Sequence, residues 1–390
     1  MQDVPLSRTP DFYEYVDQPL ARVHIENEFA VINWPDGAML RAHALWLFEN
    51  QMGDVTIEER TRESKIDPAL FPDPSVLTGV AVAEDGDLEA IWADDSVARY
   101  HSAWLRHVAD QRHRPDSVMP ESVEWTSADL TEPITFDGAA VLADDAALHE
   151  FLEALVGYGL ARLEGLETTR DVLPVLGRRV GALRDTNFGV TWPVSVDVKP
   201  TSTANTTLPL PPHTDLPTRE TPPGFQLLHC LVNTCSAGFS TMADGYAVVR
   251  HLREHRPDVH DVLVRANWVF FNRSPEHDHR WSGPLIDYGA PGMPLTLRAF
   301  HPVRAFPDMD DVDVPEAYAA LREFSRLAGS DEFQIRYPFR PGDLVAFDNR
   351  RLLHGRDSID VEGGQRELHG TYIDHDEVYS RLRVLSRKLT

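Results

Sequence analysis

FQIRYPFRPGDLVAFDNRRLLH, residues 333 to 354, reads as two strands closed by a tight turn and running on toward a third. Phe333–Phe339 and Asp343–Asn349 are rich in the aromatic and branched residues that suit a pleated, buried surface. Between them Pro341-Gly342-Asp343 combines a fixed φ, tolerance of positive φ and a side chain able to bond its own backbone. Outward from this hairpin, FQLLHCLVN (225–233) and ELHGTYID (367–374) read as further strands. DDAALHEFLEALVGYG (144–159) reads as a helix, with Leu148, Leu152, Leu155 and Val156 on one face, and LARLEGL (160–166) as the strand after it. Further helices are expected over about Val172–Val180, 243–255 and 315–329. Many strands at irregular spacing with few helices is not an alternating βα pattern. The expected fold is therefore mainly β with flanking helices, a jelly-roll or barrel core rather than a doubly wound sheet.

The 390 residues exceed one ordinary hydrophobic core, so two domains are expected. Residues 1–108 read as a small β-rich N-terminal domain, from RVHIENEFAVINW, LRAHALWL and VLTGVAVAEDGDLEAIWADD with their Asp-Gly turns. Residues 109–138 are polar and proline-bearing and read as a connection, and 139–390 as the second domain. A net charge of −25 would repel phosphate backbones and anionic lipid, which argues against nucleic acid or a membrane surface as partner. The two cysteines, Cys230 and Cys235, are too few for a disulfide framework and lack redox or zinc spacing. With no secretory leader pattern and no long apolar run, a cytoplasmic protein is expected.

His213-Thr214-Asp215 places an imidazole and a carboxylate one residue apart, and on a strand residues i and i+2 share a face. With His354 as a third ligand this makes a two-histidine, one-carboxylate set, which binds ferrous iron and leaves positions open for a chelating co-substrate and dioxygen. Twelve residues beyond His354 comes Arg366, whose planar fork can hold a carboxylate through two bonds. A surface salt bridge is the plainer reading of that arginine.

HTDLPTRETPPGFQLLHCL, FDNRRLLHGR and ELHGTYIDHDEVYSRLRVL resemble the gamma-butyrobetaine hydroxylase branch of the taurine-dioxygenase-like oxygenases. INWPDG, ALWLFEN and SAWLRH resemble the small N-terminal domain of the same proteins. The resemblance implies a double-stranded β-helix catalytic domain, with His213, Asp215 and His354 on Fe(II) and Arg366 clamping 2-oxoglutarate. Ser240 stands where the wider family often has a hydroxyl near that clamp. Implied too are hydroxylation of an unactivated C–H of a small molecule, consumption of O2, release of succinate and CO2, and a homodimer. Because Asp215 is retained, a halide at its position is not expected.

The chain also departs from that pattern. Members of the branch bind a structural zinc through an N-terminal cysteine cluster, whereas this chain has no cysteine before Cys230, so the zinc site reads as lost and nearby His101 and His107 as surface histidines. Of the aromatic cage that resemblance implies for trimethylammonium substrates, Trp192 and Tyr372 are present and Phe188 replaces a tyrosine. Asn205 and Leu216 stand where further tyrosines are expected, and the carboxylate-anchoring positions read as Ser202 and Phe300 or His301. The expected substrate is thus a specialised metabolite or amino-acid derivative. The alternatives are gamma-butyrobetaine or trimethyllysine hydroxylation, a zinc or manganese hydrolase on the same ligands, and a non-catalytic β-helix binding module.

Overall fold

The computed structural model describes residues 9–53, 56–112, 118–195, 206–235, 238–289, 294–359 and 364–389. The chain divides into two compact units, Met1–Ser117 and Val118–Thr390. The division falls inside the stretch 109–138 expected to be a connection, and the connecting part is shorter than expected. A helix runs past residue 108 to Gln111, and Ile134–Asp137 is a strand of the second unit's large sheet.

The first unit carries two three-stranded antiparallel sheets, β1 (Arg22–Glu26), β2 (Phe29–Asn33) and β3 (Met39–His43), then β4 (Leu77–Val82), β5 (Leu88–Trp92) and β6 (Val97–Tyr100). Helices α1 (Ala44–Glu49) and α2 (Ser102–Gln111) accompany them. Its core gathers Ile32, Trp34, Leu47, Leu88, Trp92 and Trp104. His101 and His107 are half-buried rather than on the surface. His101 Nδ1 accepts from Ala103 N–H and caps α2, and the His107 ring packs against Tyr13 and Tyr15.

The second unit runs β7 (Ile134–Asp137), α3 (Gly138–Ala143), α4 (Asp145–Tyr158), β8 (Leu160–Glu164), α5 (Val172–Val180) and β9 (Thr191–Ser195). It continues through β10 (Leu210–His213), β11 (Phe225–Asn233), β12 (Ser240–Asp244), α6 (Gly245–His255) and α7 (Pro257–Arg265). An excursion of short strands follows, β13 (Trp268–Arg273), β14 (Asp278–Gly283), β15 (Ile286–Asp287), β16 (Thr296–Leu297) and β17 (Arg304–Pro307), which the sequence pattern did not indicate. After α8 (Val314–Ala328) come β18 (Gln334–Tyr337), β19 (Leu344–Asp348), β20 (Leu352–Arg356), β21 (Arg366–Ile373) and α9 (His375–Leu389).

Two sheets carry the site: a six-stranded one ordered β7-β8-β19-β11-β21-β9 and a four-stranded one ordered β10-β20-β12-β18. Strand alternation sends Phe225 and Leu227 of β11 outward, against a helical layer that includes Leu148, Leu152 and Leu382. Cys230, Val345, Phe347 and Leu368 point the other way and meet Met242, Ile335, Tyr337 and Leu352 of the smaller sheet. The expected helix is present as α4. Asp144 caps it by accepting from Ala147 N–H at 2.9 Å, and Gly159 ends it at φ 71°. The expected turn is present too, with Gly342 at φ 87° where an added Cβ would sit 2.7 Å from Leu166 O. Among the described residues no helix is long and apolar enough to cross a membrane.

Candidate active site

His213 ends β10 and lies directly opposite His354 in the register with β20. Asp215, by contrast, lies beyond the strand, so the strand alternation expected to align it with His213 does not apply. The carboxylate still reaches the two rings, with Oδ1 3.4 Å from His213 Nε2 and 3.7 Å from His354 Nε2. Side-chain ligand atoms of all three residues lie within 4.8 Å of one another. His213 Nδ1 donates to Pro211 O at 2.9 Å, and Nε2 is the ring nitrogen turned to the carboxylate.

The electrostatics suit a metal. Burial opposes ionisation of Asp215, but the facing His354, the His213 contact and a bond from Tyr372 outweigh it and hold the carboxyl well below its ordinary range. Burial, reinforced by the neighbouring His213, pushes the His354 imidazole down to about 3, so it is neutral and able to donate a lone pair. Two neutral-capable imidazoles and one carboxylate, converging on the wall of an open cavity, fit a divalent first-row metal with positions left for other ligands.

That cavity, of about 580 Å³, brings together most of the residues singled out from the sequence. Phe188, Trp192, Leu216, Tyr372, Ser240 and Arg366 all line it with the three ligands. Arg366, at the start of β21, is buried. Burial lowers its affinity for a proton, and its Nε has no hydrogen-bond partner. Arg356, the other lining arginine, turns Nη2 to Thr206 O at 2.7 Å and Leu208 O at 2.9 Å. Ser240 is the cross-strand neighbour of Arg356. The Trp192 and Tyr372 rings lie 4.5 Å apart and Phe188 stands 6.2 Å from Trp192, forming one aromatic wall. Phe300 stacks on the His213 ring at 4.5 Å, so it packs beside the proposed metal ligand as well as lining the cavity. Asn205 and Ser202 lie outside the described residues.

Several contacts at the site gave no sequence signal. Tyr372 donates its hydroxyl to Asp215 Oδ2 at 2.8 Å, so this residue, read only as a substrate contact, also touches the carboxylate. Arg298, buried and with its pKa pushed down to about 10 by that burial, donates to Pro217, Arg219 and Glu220 carbonyls and pins the loop after Asp215. Gln226, opposite Tyr372 in the register, lines the cavity with its Oε1 unpartnered. These contacts join residues far apart in sequence, and only the fold brings them together.

Fold and site together define a metal-dependent enzyme. The signature of the taurine catabolism dioxygenase TauD, TfdA family matches residues 124–372. The gamma-butyrobetaine dioxygenase of Pseudomonas sp. (strain AK-1) is 36% identical over 91% of this chain and 93% of its own length. The human gamma-butyrobetaine dioxygenase is 31% identical over 76% of this chain and 79% of its own. The mitochondrial trimethyllysine dioxygenase of Rattus norvegicus is 26% identical over 93% and 85%. The chain belongs to the TauD, TfdA family, and it is a non-haem iron, 2-oxoglutarate-dependent dioxygenase. The hydrolase and binding-module alternatives are thereby set aside.

Proposed function

We propose that His213, Asp215 and His354 are the iron ligands, that Arg366 with Ser240 receives the far carboxylate of 2-oxoglutarate, and that the enzyme hydroxylates an unactivated C–H of a small molecule. The observation that carries this reading is the convergence of the three ligand side chains on a cavity that also holds a buried, partly unpartnered Arg366. When bound, iron with 2-oxoglutarate and dioxygen supplies the oxidising power, releasing succinate and CO2. The protein's part is to orient and to exclude water. Asp215 stays ionised, His213 is oriented by its bond to Pro211 O, and apolar Leu228, Met242 and Leu368 line the same cavity as the arginine. The two facing sheets are read as the walls of a double-stranded β-helix, and the first unit as its small β-rich companion. A cytoplasmic homodimer completes the reading, and two free thiols fit a reducing compartment.

The substrate rests against Phe188, Trp192, Leu216 and Tyr372. Asp215 is the only carboxylate among the described residues lining the cavity, and it is committed to the metal, so a cationic substrate would depend on ring faces alone. We favour a specialised metabolite or amino-acid derivative of low positive charge. A trimethylammonium substrate is the second reading, favoured by the Trp192–Tyr372 wall and by the substrates named for the relatives. Turnover of gamma-butyrobetaine, trimethyllysine and a panel of amino acids and specialised metabolites, following hydroxylated product as well as succinate, separates the two. Coupled hydroxylation of either trimethylammonium compound at micromolar concentration would overturn the favoured substrate class.

A further inference from the structure

Asp215 has no strand ladder to hold it, yet its backbone is clamped. Its N–H donates to Asn349 Oδ1 at 2.6 Å, and Asn349 Nδ2 donates back to Asp215 O at 3.0 Å and to Pro223 O at 3.3 Å. Asn349 is wholly buried, and its own N–H donates to Gly224 O at 2.8 Å. The next residue after Asp215, Leu216, sits at φ 51°, a left-handed conformation that a leucine adopts only where its surroundings impose it.

Asn349 belongs to the turn between β19 and β20, five residues before His354. The turn is held on both sides. Asp348 Oδ1 accepts from Arg350 N–H at 2.9 Å and contacts His375 Nε2 at 3.0 Å, while Arg350 Nε donates to Pro222 O at 2.9 Å. One side chain thus ties the corner carrying Asp215 to the hairpin carrying His354. An amide is suited to this task because it alone among small side chains offers an acceptor and two donors in one plane.

We infer that Asn349 is a positioning residue for the metal centre: by gripping the Asp215 peptide N–H and C=O, it holds the left-handed corner at Leu216 and thereby aims the carboxylate between the two imidazoles. The inference rests on the ligand assignment proposed above. A merely structural asparagine would pin the loop to the core without affecting the metal.

The test compares wild type, Asn349→Ala, Asn349→Asp and His213→Ala as apo-proteins under anaerobic conditions. Fe(II) affinity is measured by titration, the visible band formed with 2-oxoglutarate by absorbance, and folding by apo-protein Tm. Groups that orient metal ligands typically contribute ten- to a hundredfold in metal affinity. Asn349→Ala should lose affinity on that scale and show a weakened band. Asn349→Asp, nearly isosteric, keeps the acceptor for Asp215 N–H but turns an oxygen on the Asp215 and Pro223 carbonyls, so it too should lose affinity, and its affinity decides the matter if the alanine variant does not fold. Folded Asn349 variants with wild-type Fe(II) affinity and an unchanged band would overturn the inference, whatever their Tm. Wild-type affinity in His213→Ala would instead bring down the ligand assignment beneath it.

Discussion

Tyr372→Phe removes one oxygen and little else. The ring, 2% exposed and 4.5 Å from the Trp192 ring, can stay where it is, and what is lost is the 2.8 Å bond to Asp215 Oδ2. A hydrogen bond to a charged group contributes about 1.5–3 kcal/mol, or roughly ten- to a hundredfold in an equilibrium constant. Because that bond fixes one carboxylate oxygen while the other faces the two imidazoles, the loss should fall on metal binding. Fe(II) affinity of the variant is expected to drop about ten- to a hundredfold. Anaerobic titration measures it, with circular dichroism to verify the fold. A variant that binds Fe(II) within about threefold of wild type, roughly 0.6 kcal/mol, would show that the hydroxyl does not orient the carboxylate.

Arg366→Lys keeps the charge but loses the fork, so the half-saturating 2-oxoglutarate concentration should rise roughly ten- to a hundredfold while Fe(II) affinity holds; an unchanged dependence would move the clamp to Arg356. Gly370→Ala would bring a Cβ within 2.8 Å of Trp192 Cε2, so the indole must shift. The expected result is a lower ratio of hydroxylated product to succinate with unaltered 2-oxoglutarate affinity, and unaltered coupling would remove Trp192 from the substrate wall. His229, buried with neither ring nitrogen partnered and facing His369 across the ladder, has its pKa lowered by burial from 6.5 to about 4. Between those values the unfolded chain binds a proton that the native one refuses. Stability is therefore full above pH 6.5 and falls by about 3 kcal/mol as pH drops to 4. His229→Leu should flatten the dependence of Tm on pH across that window, and an identical slope would contradict the assignment.

The sequence made some parts of this site legible and hid others, and the difference is physical. The proposed ligands His213, Asp215 and His354 and the proposed clamp Arg366 stand out in the sequence because their residue types are chemically distinctive, and His354 and Arg366 lie on or beside strands of strong apolar patterning, whereas β10 is the proline-rich LPPH. The helix at α4 and the turn at Gly342 were legible because cap, periodicity and turn chemistry are local. Asp215 was expected to align by strand alternation. Instead it lies off the strand, held by Asn349, Tyr372 and the loop that Arg298 pins, contacts spanning 134 and 157 residues for the first two. The excursion from β13 to β17 was missed because its strands are short and rich in charged and polar residues, among them RSPEHDHR between the apolar runs.

The most direct test of the site is stoichiometric. Purified apo-protein, titrated anaerobically, is expected to bind one Fe(II) per chain and to develop a weak visible band when 2-oxoglutarate is added, because three protein ligands leave positions for its chelation. His213→Ala, Asp215→Ala and His354→Ala should each abolish the band. Iron affinity and a band that survive all three substitutions would mean that the metal is held elsewhere, and the assignment of this cavity as the active site would fall.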